Sequence, residues 1–222
     1  PNDDLTAECA YNAEVSLSKT FSTILEFDLT GFYTYLNNAL VRRNTTLNGS
    51  DSLFFDGGLK RVQSIQNATF AEVYGIQAGI EIRMSKQIKL ENKLNFQKGT
   101  EEMEDGSTSP SRHVAPLFSV SRISYKKEKL TLLASFIYNH ELQNEDLNVV
   151  EQDKAYLYAA DENGLPYSPA WYTLNVNAQY QLNKAVSVNL GVENITDQLY
   201  RPYSSGISGA GRNLTGSIIA NF

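Results

Sequence analysis

His113 and His140 are the first residues in this chain whose type could do chemistry. An imidazole can ligate a haem iron axially or activate a nucleophile. The second role needs a Ser or Cys and an orienting partner, and neither His sits in a recognisable Ser-centred motif, so no catalytic residue is assigned. Arg42 and Arg43 offer charge-assisted hydrogen bonds to an anion, and Arg201 with Tyr203 adds a cation and an aromatic near the carboxy terminus. These six are the ligand-binding candidates. The plainer reading of each is a solvated loop histidine, a solvated strand end or a structural brace. Glu101, Glu102, Glu104 and Asp105 lack the alternating spacing of a calcium loop, so they are read as a solvated acidic loop. No metal site and no resident cofactor is expected.

The elements that must position these residues are strands. Val186, Val188, Leu190 and Val192 alternate with Ser187, Asn189, Gly191 and Glu193, and after a Pro/Gly/Ser loop Leu214, Gly216, Ile218, Ala220 and Phe222 resume the pattern. Such alternation marks strands with one apolar and one polar face. Earlier runs repeat it at Tyr11–Leu17, from Thr23 to about Val41, from Lys60 to Met84, Ile88–Gln97, Val114–Tyr125, Leu130–Tyr138 and Trp171–Leu182. The sequence therefore predicts nine strands with short turns at 18–20, 85–87, 126–129 and 183–185. Long polar loops fill the other connections, and a bulge is expected beside Pro116. Polar positions on these strands include Glu26, Asp28, Lys89, Glu91, Lys93, Asn175, Asn177 and Gln179.

Composition narrows the classes. A net charge of -6, with no clustered basic surface evident in the sequence, argues against nucleic acid as a partner. No apolar run reaches the ~18 residues of a spanning helix, and mean hydropathy is -0.34. A barrel whose strands expose only alternate residues to lipid fits both facts. The 13 Tyr and 10 Phe suit the aromatic girdles of such a barrel. One cysteine, Cys9, cannot close an internal disulfide. The polar start at Pro1 carries no secretory signal, which fits a cytosolic protein, a processed chain or a fragment.

The segment Gly191-Val192-Glu193-Asn194-Ile195-Thr196-Asp197 with Tyr200, then Gly211-Arg212-Asn213 and the terminal Phe222, resembles the carboxy-terminal signature of TonB-dependent receptors. Pro1-Asn2-Asp3-Asp4-Leu5 with Glu8 is similar to a diverged form of that family's Asn-Pro-x-Leu-x-x-Glu segment. The resemblance implies an all-β, antiparallel, up-and-down transmembrane β-barrel. Residues 1–222 would then form the last nine strands of a 22-stranded barrel whose plug lies elsewhere. Short turns would face the periplasm and long loops the outside.

Further implications come from the same resemblance. The location would be the bacterial outer membrane, in contact with its lipid. The function would be TonB-energised uptake of a ferric siderophore, haem or corrinoid, with the TonB-ExbB-ExbD complex acting through the plug. Phe222 would be the signal read by the barrel-assembly machinery, and the polar strand residues named above would face the lumen and plug. A passive porin or adhesin barrel shares the alternation and the terminal Phe. A barrel lipase would need a supported nucleophile, and a soluble β-sandwich would have shorter, more evenly spaced strands.

Overall fold

The computed structural model describes residues 5–68, 70–103 and 105–221. Phe222, Glu104 and Pro1 to Asp4 lie outside the described residues. Nine long strands follow one another up and down: β1 (Cys9–Phe21), β2 (Leu25–Asn37), β3 (Phe70–Arg83), β4 (Ile88–Glu102), β5 (Phe118–Lys127), β6 (Leu130–Asn139), β7 (Trp171–Gln181), β8 (Val186–Glu193) and β9 (Asn213–Ala220). They pair antiparallel in sequence order, and the short strand Thr108–Pro110 pairs with the end of β4. The sheet is open, with β1 and β9 as its edges.

Register explains why the alternation matters. One row of directly paired residues reads Phe21, Leu25, Ile82, Leu90, Ile123, Ala134, Val176, Val192 and Leu214, apolar on every strand. The adjacent row reads Thr20, Glu26, Glu81, Glu91, Arg122, Ser135 and Asn175. Successive side chains point to opposite faces, so a one-residue slip would exchange these rows. The register is therefore held by every strand at once.

The apolar face has no interior to fill. Among the described residues, only Ala39, Ala68, Ala71 and Leu147 are buried hydrophobics, while Val15, Leu17, Ile76, Ile123, Val176 and Leu190 are exposed. Soluble monomers rarely show so continuous an apolar surface. Tyr11, Tyr33, Tyr74, Tyr138 and Tyr172 share that face towards the long-loop ends of the strands, and Phe21, Tyr125 and Tyr180 towards the short-turn ends. Among the described residues, no helix is long and apolar enough to cross a membrane.

The short turns fall at 84–87, 128–129 and 182–185, as expected, but the first lies at 22–24 and not at 18–20. Lys19 pairs with Phe27 in an unbroken ladder that carries β1 to Phe21. The strand expected to run to Val41 ends at Asn37, where Asn38 takes a φ of 54°. The following loop is itself a β-ribbon: Leu40–Asn44 pairs with Gln63–Asn67, and Ser52–Phe55 with Gly58–Arg61. Asp56 and Gly57 both have positive φ, the requirement of a two-residue type I′ hairpin turn. Val114 to Leu117 precede β5 as loop, so Pro116 marks no strand bulge.

Candidate functional site

Two structures carry the polar chemistry: one face of the sheet and a cap built from three long loops. On the sheet, Glu26, Asp28, Lys89, Glu91, Lys93, Asn175, Asn177 and Gln179 occupy a single face by register. Glu26, Glu81 and Glu91 are direct cross-strand neighbours, an arrangement that would repel on its own. Cations answer it. Arg83 contacts Glu81 and lies 4.0 Å from Glu26, while Lys89 reaches Glu81 at 3.3 Å and Glu91 at 3.2 Å. Further along, Gly79 leaves a hollow of about 350 Å³ bordered by Asp28, Lys93, Gln77 and Asn95. On β7, the Asn175 carboxamide oxygen accepts from the Asn194 backbone N–H at 2.8 Å, tying the wall to the last loop.

The cap joins loops 103–117, 140–170 and 194–212. Its centre is Glu151, whose side chain is fully buried in the short helix Val149–Gln152. Lys154 Nζ donates to Glu151 Oε1 at 2.6 Å, and Tyr158 Oη donates to Oε2 at 2.8 Å. Burial would raise this carboxyl, but the bonds from Lys154 and Tyr158 outweigh it and hold the group below its ordinary value. Tyr158 is pushed well above the ordinary phenol by burial and by its bond to Glu151. Tyr203 is pushed up to about 12, by burial and then by the Glu151 charge.

Asn148 caps the same helix by accepting from Val150 N–H at 2.9 Å, and its amide donates to Glu101 Oε1 at 2.9 Å and to the Pro110 carbonyl at 2.7 Å. Arg112 Nε lies 3.4 Å from Glu101 Oε1. Glu101 and Glu102 are therefore the end of β4 and not a solvated loop, and Glu101 is buried. Asp105 does sit at a turn, where it accepts from Ser107 N–H at 2.9 Å.

The last loop turns on Asn194. It is buried with φ of 47°, a conformation Asn tolerates better than most residues. Its amide donates to the carbonyls of Gln198 at 2.8 Å and Ala210 at 3.0 Å, while its oxygen accepts from Gln198 N–H at 3.0 Å. Asp197 accepts from Arg212 N–H at 2.7 Å, and Arg212 Nε donates to the Ile195 carbonyl at 3.0 Å. Tyr200 packs on Trp171 with ring centroids 4.4 Å apart. Gly209 is required there, because a Cβ would stand 2.2 Å from the Tyr200 ring. Beside this pair is a cleft of about 240 Å³ bordered by Tyr158, Arg201 and Leu199.

The six candidate ligand residues divide into three places. Arg201 is spent on structure, donating to the Tyr156 and Leu157 carbonyls at 3.2 and 3.0 Å. It joins Tyr203 and His113 in the cap, where His113 Nδ1 lies 3.2 Å from Ser204 Oγ and Tyr203 faces Tyr158 at 6.3 Å between ring centroids. His140 stands apart, its Nδ1 3.0 Å from Tyr138 Oη, at a cleft of about 570 Å³ between the upper part of β4 and the loops. Arg42 and Arg43 lie on the ribbon of the first long loop and not at a strand top. Arg43 bonds the Glu102 carbonyl at 2.8 Å, and Arg42 is exposed. Glu151 and Asn148 form the centre of the cap that sequence reasoning missed, since Asn148 reaches Glu101 and Pro110 and Glu151 takes a bond from Ser204, all distant in sequence. Only the Asn at a helix start was a visible signal.

Residues 1–195 match the family described as TonB dependent receptor-like, beta-barrel. A search of curated protein sequences returns no match. Among solved structures, the copper transporter OprC superposes with a TM-score of 0.74 at 14% identity, covering 99% of this chain and 32% of that one. A mutant of the ferric enterobactin receptor PfeA from Pseudomonas aeruginosa gives 0.71 at 17%, covering 100% and 32%. The siderophore receptor PirA from Acinetobacter baumannii gives 0.70 at 18%, covering 99% and 32%. These identities show the shared fold, and the chain spans about a third of the length of these structures. On the family match and the nine-strand sheet together, the chain belongs to the TonB-dependent receptor β-barrel family.

Proposed function

We propose that this chain forms the carboxy-terminal barrel wall of an outer-membrane receptor that imports a scarce metal complex with energy delivered through TonB. The single observation carrying this reading is the inverted placement of side chains. Exposed apolar residues cover one face, while the charged network of Glu26, Glu81, Arg83, Lys89 and Glu91 covers the other. A Lys or Arg facing the bilayer midplane costs about 2–4 kcal/mol, so lipid meets the apolar face and water the polar one. The two open edges expose unpaired backbone groups that lipid does not tolerate, and further strands of the same receptor complete the ring.

In this reading the polar wall holds a plug through exchangeable hydrogen bonds, and the loop cap contributes to ligand capture outside. Proteins of similar fold point to metal complexes as the class to test: OprC is a copper transporter, and PfeA a ferric enterobactin receptor. A ferric siderophore is the first cargo to test, with copper, haem and corrinoids beside it. The TonB-ExbB-ExbD complex acts through the plug, and the barrel-assembly machinery inserts the chain.

The test is uptake by cells carrying the full receptor in a receptor-deficient background. Labelled ferric siderophore should accumulate saturably and stop when the proton-motive force is collapsed. Uptake that ignores the uncoupler and follows solute size would assign the barrel to passive diffusion instead.

A further inference from the structure

The short-turn rim of the sheet has a charge that the wall and the cap do not explain. Three turns lie side by side there: Lys126 N–H donates to the Gln87 carbonyl at 2.8 Å, and Gln181 N–H to the Lys129 carbonyl at 2.9 Å. Their adjacency gathers Lys86, Lys127 and Lys184 on one edge of a chain whose net charge is -6, with Lys126 beside them on the polar face. All are exposed, and among the described residues none of them is in an ion pair. Arg83 and Lys89, nearby, are already paired on the polar face. The opposite end of the strands is acidic, with Glu141, Glu145, Asp161 and Glu162 in its loops.

We propose that this rim binds the phosphate groups of an anionic phospholipid leaflet. The apolar face decides between a lipid and a dissolved partner. Met84, Tyr180 and Leu182 are exposed on that face, next to the lysine turns. Lys127 follows Tyr125 on the same face, paired with Leu130. An aliphatic and aromatic belt that ends in unpaired ammonium groups matches a bilayer, where long cationic side chains lay their stems on the apolar region and reach the headgroup level. The field acts within a Debye length and concentrates anionic over zwitterionic lipid. Anionic lipid would thus gather at the short-turn rim, away from the acidic loops.

This inference rests on the barrel reading, and one experiment separates the two. Full-length receptor is assembled in phosphatidylcholine nanodiscs with traces of spin-labelled phosphatidylglycerol or phosphatidylcholine, and the protein-bound fraction of each label is measured. The wild type should prefer phosphatidylglycerol several-fold, and dissolved glycerol phosphate should not compete. The combined variant Lys86→Gln, Lys127→Gln and Lys184→Gln should lose the preference, while Arg at the same positions should keep it. Should the Gln variant fail to assemble, raising salt to about 1 M, where the Debye length is about 3 Å, must abolish the wild-type preference. Equal binding of both labels by the wild type, or a preference that survives the Gln variant or the salt, overturns the proposal alone. Failure of the wild type to enter discs of either composition overturns the barrel reading with it.

Discussion

Lys154 Nζ sits 2.6 Å from the fully buried carboxylate of Glu151, which also accepts from Ser204 Oγ of the last loop at 3.4 Å. Removing one member of a buried pair strands the other charge, at roughly 3–5 kcal/mol. Lys154 is itself a third exposed, so Lys154→Ala should fall at the lower end of that range. Hydrogen exchange in segment 140–170 of the full receptor should accelerate in that variant, while the β6 and β7 amides stay protected.

The pH dependence of the cap follows from the same carboxyl. Its value is lower in the folded cap than the ordinary 4.5, so its contribution is complete above that pH and is lost as pH falls through the depressed value. Tyr203, raised to about 12, works in the other direction. Its contribution is complete below the ordinary phenol value and is lost as pH rises through the shifted one. Protection in the cap, the slowing of exchange relative to a free amide at the same pH, should therefore fall at both extremes, and Glu151→Gln should remove the acid limb. An unchanged acid limb in that variant would assign the transition to another group.

Gly209 predicts a local packing defect. Gly209→Ala pushes a methyl into the Tyr200 ring and must displace it from Trp171, with overpacking costs of about 1–3 kcal/mol. Trp171 is the single Trp of this chain, so its emission, taken as a difference against Trp171→Phe, should shift to the red as the ring is uncovered. Unchanged emission would mean that the loop moves and the ring pair stays.

Asn194→Ala removes the donor to the part-buried Gln198 and Ala210 carbonyls, at about 0.5–1.5 kcal/mol for each bond lost. The 194–212 loop should become sensitive to protease. Asn194→Gly spares the backbone strain at positive φ but not the bonds, so it should be cut as well.

Nearly all of the sheet was legible because its cause is repeated: each strand alternates, and the register brings Phe21 to Leu214 into one row. The first turn was misplaced because Ser18-Lys19-Thr20 has turn composition and Lys19 interrupts the apolar phase. Pairing with β2 overrode both. The ribbon in the first long loop carried a readable signal, Asp56-Gly57 between apolar residues, which the surrounding Asn, Ser and Gly concealed. The cap was not legible. Glu151 is one acid among many in sequence, and only the fold brings Lys154, Tyr158 and Ser204 onto its carboxylate.

The central claim is that lipid meets one face of this sheet and water the other, and adjacent residues in β6 test it most directly. With Cys9→Ser as background, spin labels at Ala134→Cys and Ser135→Cys in the full receptor in bilayers report access to oxygen and to an aqueous nickel chelate. Ala134 lies in the apolar row and Ser135 in the polar row. The label at 134 should be open to oxygen and closed to the chelate, and the label at 135 should show the reverse. Equal access of the chelate to both positions would contradict the membrane-wall account.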